Sequence, residues 1–140
     1  MTVDAKLPPA APPSLEATYV HLHDDRSASL VPLTPTFWPE VVSGQRPDLL
    51  PGRLAMVFSF TESWPTWEIH PAGEELVVLL EGRAVLVLET TEGEACIALE
   101  QPGQFVLVPR ATWHTARIDT PCKMLFVTPG EGTENRPIAR

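Results

Sequence analysis

From residue 53 onward the chain breaks into short apolar runs, each closed by a turn residue roughly every eight to twelve positions. The runs cover residues 53–60, 67–70, 75–80, 84–89, 95–99, 105–108, 114–119 and 124–128. Between them stand Pro71 and Gly73, Gly82, Gly93, Pro102 and Gly103, Pro109, Pro121, and Pro129 and Gly130. Runs this short and this rich in β-branched residues are strands. At this cadence they fold as an all-β sandwich or barrel. No apolar pattern of helical period lasts longer than about two turns. The 140 residues are enough for one core.

Residues 76–80 and 84–88 are apolar at every position, whereas a half-exposed sheet alternates. One face must line the barrel interior. The other calls for a cover: the N-terminal third, a second copy of the chain, or both. Trp67 and Trp113 point away from the interior on the same alternation and add to the expectation of a homodimer.

Nine of the 16 prolines lie in residues 1–51. They divide the chain into a flexible proline-rich start over 1–16, an N-terminal arm over 17–52, the barrel over 53–130 and a C-terminal tail over 131–140. Within the arm, 17–23 and 28–31 read as short strands. Residues 32–51 read as an irregular crossing that packs along a surface or contributes to a site.

The formal net charge is -8, and residues 68–100 hold eight acids against the single base Arg83. An acidic chain lacks the basic patch that nucleic acid or an anionic membrane requires. No window approaches about 18 uninterrupted apolar residues, and no apolar leader follows a basic start. Cys96 and Cys122 form no CxxC pair, so the expected address is the cytoplasm, with both thiols free.

Four residues carry the chemistry. Glu68 and His70 are two apart on a strand and share a face. Glu75 opens the next strand, and His114 opens a strand far along the chain. Two imidazoles and two carboxylates converging inside a barrel make a four-ligand site for a divalent metal. Buried carboxylates are costly when unpaired, and a cation is the natural partner.

These spacings resemble the two motifs of small bacterial single-domain cupins, G-x5-H-x-H-x(3,4)-E-x6-G and G-x5-P-x-G-x2-H-x3-N. The first reads here as Glu68-x-His70-x4-Glu75-x6-Gly82. The second reads as Gly103-x5-Pro109-x-Ala111-x2-His114, after an intermotif stretch of 20 residues. The resemblance covers residues 53–130 and implies a double-stranded β-helix, or jelly-roll, with a metal at its centre. Glu68 replaces the first histidine, Glu62 the leading glycine, Ala111 the glycine of PxG and Ile118 the closing asparagine. The glycine changes touch turns. The carboxylate at 68 hardens the donor set, favouring iron, manganese or zinc over copper(I).

The resemblance implies a metal-dependent enzyme on a small oxygen-containing substrate, of dioxygenase, isomerase or decarboxylase type. Glu75 is the expected base. The alternative is a non-catalytic module that binds or senses a small ligand, with or without metal, and the plainest reading is a metal-free scaffold. His21 and His23, followed by Asp24 and Asp25, read as a solvated strand edge. Trp64 is expected to edge the pocket. Met56, Phe58 and Phe60 form one stripe, expected as core or pocket wall.

Overall fold

The punctuation read from the sequence falls between strands, except for Gly93, which opens one. A computed structural model describes residues 11–139. Its elements are β1 (Thr18–Leu22), β2 (Ala28–Pro32), α1 (Phe37–Val42), a 3-10 turn (Pro47–Leu49), β3 (Arg53–Phe60), β4 (Thr66–Ile69), β5 (Glu75–Glu81), β6 (Ala84–Thr90), β7 (Gly93–Leu99), β8 (Phe105–Val108), β9 (His114–Arg117), β10 (Cys122–Thr128) and β11 (Glu134–Pro137). They form two antiparallel sheets, ordered β2-β1-β3-β10-β5-β8 and β11-β4-β9-β6-β7. Strand β10 lies between β3 and β5, and β9 between β4 and β6, so late strands close the sheets begun by early ones. These long crossings make the architecture a jelly-roll.

The core lies between the sheets. Val77, Leu79, Leu86 and Met124 have no exposed surface, and Phe126, Val106 and Val108 are buried beside them. Strand β10 alternates strictly, with Cys122, Met124, Phe126 and Thr128 inward. Burial pushes the Cys122 thiol pKa up, which keeps it protonated and unreactive.

The arm extends the first sheet at its edge, β1 pairing β3. The Val57 N–H donates to the Leu15 carbonyl, so the chain is fastened to β3 from residue 15 onward. The first ten residues of the proline-rich start lie outside the described residues. The arm does not cover the outer face of β5: Leu76 and Val78 are half-buried there, beside Leu107 (55% exposed) and Phe105 (58%). On the outer face of the second sheet the cover comes from the chain's own end. Arg136 of β11 pairs opposite Trp67, and its guanidinium lies 5.4 Å from the Trp67 ring and 4.5 Å from the Trp113 ring. Packing by the same chain covers part of both tryptophans. Among the described residues no helix is long and apolar enough to cross a membrane.

Two turns of the motif pair behave oppositely. Gly82 has φ +77, and a Cβ there would meet the Pro121 carbonyl oxygen at 2.2 Å. Glycine is required twice over, for backbone angle and for space. Ala111 stands in the left-handed region at φ 56, and its N–H donates to the His70 carbonyl. The turn before His114 is thus kept by an alanine held against its preference. Glu62 has no such φ, so the missing glycine there matters little. Ala111→Gly is expected to raise stability by up to about 1 kcal/mol, and Gly82→Ala to lower it by about 3 kcal/mol or more. Denaturant melts of the two variants check this; a destabilised Ala111→Gly would contradict the assignment of strain to this turn.

Candidate metal centre

The site forms where four strands end at one rim of the sandwich. His114 is the first residue of β9 and sits opposite Glu68 of β4. His70 follows the last residue of β4. Glu75 is the first residue of β5, and Thr128 is the last of its neighbour β10. Strand alternation turns Glu68, His114 and Leu88 to one face, since these residues stand in register across β4, β9 and β6.

Glu75 lies between the two imidazoles. Its Oε1 is 3.0 Å from His114 Nε2 and its Oε2 is 3.3 Å from His70 Nε2. Glu68 Oε2 is 3.6 Å from the same His70 nitrogen. His114, Glu75 and His70 are buried, while the Glu68 side chain is 34% exposed toward the pocket. Donor atoms of Glu68, His70 and His114 lie within 4.8 Å of one another, a grouping that could hold a metal ion. Glu75 touches both histidines of that group. All four residues singled out by the sequence therefore meet.

The outer partners fix the rings. His114 Nδ1 donates to the Thr112 carbonyl at 3.0 Å, so its Nε2 carries the lone pair when the ring is neutral. His70 Nδ1 is 2.8 Å from Thr133 Oγ1. Thr128 Oγ1 donates to Glu75 at 2.6 Å. Three inward atoms, His70 Nε2, His114 Nε2 and Glu75 Oε1, are buried without a well-formed hydrogen bond. Orphaned buried donors and acceptors are rare and need a reason. Two imidazole nitrogens and a carboxylate oxygen aimed at one another fit a divalent cation.

The polar contacts of the rim include several that sequence reasoning missed. The alternation of β10 points Thr128 inward, and this was a usable signal. Thr133 lies beyond the last barrel strand, where no periodicity marks it. Trp64 does line the pocket, with its ring 6.2 Å from that of His114, and Met56, Phe58 and Phe60 form a wall. Ile118, at the closing asparagine position, is buried, and its N–H donates to Ser63 Oγ. The solvated reading of His21 is corrected. That ring is 3% exposed, its Nε2 donates to the Pro51 carbonyl at 2.5 Å, and the turn at 51–52 covers it. His23 bonds Ser29 Oγ, and neither ring lines the pocket.

Electrostatics tie the cluster together. Burial opposes charge on His70, but the Glu68 and Glu75 carboxylates outweigh it and push its pKa up to about 9. Burial also opposes charge on Glu75, yet the His114 and His70 rings pull its pKa down to about 2. Linkage gives each shift a pH window. The His70 contribution is complete below its ordinary 6.5 and is lost as pH rises through about 9. The Glu75 contribution is complete above its ordinary 4.5 and is lost as pH falls through about 2. Metal-free protein is therefore expected to melt highest between about pH 4.5 and 6.5 and to lose stability toward pH 9. Melting temperatures across that range test it; a steady rise from pH 6.5 to 9 would contradict the pairing.

No family model matches the sequence, and no curated protein matches it. Solved structures do. A recombinant oxalate oxidase in complex with glycolate aligns with a TM-score of 0.50 at 15% identity, over 59% of this chain and 45% of the other. A cupin superfamily protein from Desulfitobacterium hafniense aligns with a TM-score of 0.47 at 25% identity, over 56% and 68% of the two chains. A cupin-2 domain containing protein from Shewanella frigidimarina aligns with a TM-score of 0.45 at 18% identity, over 60% and 71%. The two facing antiparallel sheets with jelly-roll crossings, together with the likeness to the oxalate oxidase structure, show that the chain has the jelly-roll fold expected of a cupin.

Proposed function

We propose that this chain binds one divalent metal, iron, manganese or zinc, through Glu68, His70, Glu75 and His114, and acts as an enzyme on a small oxygen-containing substrate. The observation that carries the reading is the meeting of three orphaned buried atoms, His70 Nε2, His114 Nε2 and Glu75 Oε1, at one point of the rim. Nitrogen and carboxylate donors suit these metals, and a carboxylate in place of a third imidazole keeps the set hard. When bound, the metal would polarise a substrate oxygen.

The chain's own residues do the rest. Glu75 is the proposed base, being buried, ionised and held by Thr128. Its low pKa suits a ligand or an ion-pair partner more than a strong base, so a proton reaches it only where a substrate displaces one of its imidazole partners. The reaction type lies within the dioxygenase, isomerase and decarboxylase range. The apolar walls exclude water from the reacting end. We further propose a cytoplasmic homodimer, joined through the outer face of β5 and β8 where Phe105 and Leu107 are exposed.

One observation favours the second reading, a non-catalytic ligand-binding module without metal. Glu75 already pairs with both imidazoles, so the cluster is partly satisfied by itself. Metal analysis by mass spectrometry on protein purified without a metal-binding tag separates the two. Native protein, or protein reloaded with iron, manganese or zinc, is expected to hold about one metal per chain. Glu68→Ala, a change at a partly exposed side chain that leaves the fold intact, is expected to lower affinity at least about tenfold. The same sample should elute at twice 15.4 kDa. Metal-free protein after reloading would sink the enzyme reading.

A further inference from the structure

The site opens into a cavity of about 570 Å³, well within the range of small-molecule pockets. Its walls are unusual in being a continuous tract of rings. Trp38 of α1 lies 6.0 Å from Phe58, Phe58 lies 6.1 Å from Phe60, and Phe60 lies 5.6 Å from Trp64. Phe126 packs against Phe58, Phe60 and Trp64 at 5.7 to 6.0 Å. The tract begins at Trp38, 39% exposed at the mouth, and ends where Trp64 meets His114. Rings offset and tilted in this way present faces and edges that suit another ring.

The charge in the pocket is equally selective. Among the described residues, one permanent cation lines it, Arg46. That guanidinium is engaged: it donates to both carboxylate oxygens of Asp48 at 3.2 and 3.1 Å, and it lies 3.9 Å from Glu40. The one cation of the lining is therefore already taken up by two acids. A second carboxylate on a ligand would find no free partner there and would meet like charge. At the inner end, Glu68, Glu75 and a divalent cation would come close to neutrality, so a single oxygen donor there would meet no excess negative charge.

We infer that the pocket takes a flat aromatic molecule bearing a single oxygen-donor group, with the ring along the Trp38–Phe58–Phe60–Trp64 tract and the oxygen toward Glu68, His70 and His114. The identity of the ring-binding wall stands on the pocket alone; the direction of the oxygen rests on the metal reading given above. Small dicarboxylates are disfavoured by charge, since the one cation of the lining, Arg46, is already paired.

The test uses 2-naphthoate, acetate and succinate as probes. Their binding to zinc-treated and to chelator-treated full-length protein is followed by tryptophan fluorescence and calorimetry, with zinc content measured on every sample. Naphthoate is expected to bind the zinc-treated protein at least about a hundredfold tighter than acetate, because only it buries rings. Succinate should bind no better than acetate. Trp38→Ala, at a partly exposed position, and Phe60→Leu, which keeps apolar volume, should each weaken naphthoate by about tenfold and leave acetate and zinc content unchanged. Zinc bound with naphthoate no tighter than acetate, or naphthoate binding indifferent to both substitutions, would overturn the inference. Zinc absent while naphthoate still binds and still depends on Trp38 and Phe60 would uphold the aromatic site and overturn the metal reading instead.

Discussion

A carboxylate with almost no exposed surface sits between two buried imidazoles, and the rim of this barrel is arranged around it. Glu75 cannot be left alone in an apolar interior, since an isolated buried charge costs several kcal/mol. The jelly-roll answers by bringing His70 and His114 to its two oxygens from the opposite sheet, and Thr128 from the adjacent strand. Each of these arrives at a strand end, where a side chain can point inward while the backbone turns away. The Thr112 carbonyl and Thr133 then hold the outer nitrogens, so that both rings present Nε2 inward. With the His114 proton on Nδ1, a neutral ring would leave its Nε2 and the Glu75 carboxylate facing each other as two acceptors. Either protons or a cation must lie between them.

The remainder of the molecule keeps that cluster dry and accessible from one side. The arm supplies β1 and β2 as extra strands, and then passes α1 and the 3-10 turn across the mouth, where Phe37 and Leu49 anchor it. The C-terminal strand β11 pairs with β4 on the other flank. It covers Trp67 and Trp113 with Arg136, itself paired to Glu89, and carries Thr133 to His70. The segments outside the barrel thus build the pocket as much as the barrel does.

Sequence was most informative where physics is local. Short β-branched runs between glycines and prolines placed the ends of β3 through β10 to within two residues, because turn chemistry and alternation act over a few positions. Spacing on strands was enough to bring Glu68, His70, Glu75 and His114 together, since alternation decides the face and the two motif turns decide the rim. Features set by distant contacts were not legible. Pro39 in residues 37–42 argued against helix, yet it occupies the first turn of α1, where no N–H is needed. Glu134–Pro137 has no apolar alternation because an edge strand paired on one side can be solvated. His21 looked exposed among polar neighbours, and only the turn at Pro51, thirty residues on, buries it.

Long-range proton–nitrogen NMR spectra of the four imidazole rings, recorded while zinc is added to metal-free protein, test the central claim most directly. The expected result is that His70 and His114 alone shift, both as Nδ1–H rings bound through Nε2, and that the change saturates at about one equivalent. Rings of His70 and His114 that stay unchanged, with any shift confined to His21 and His23, would contradict it.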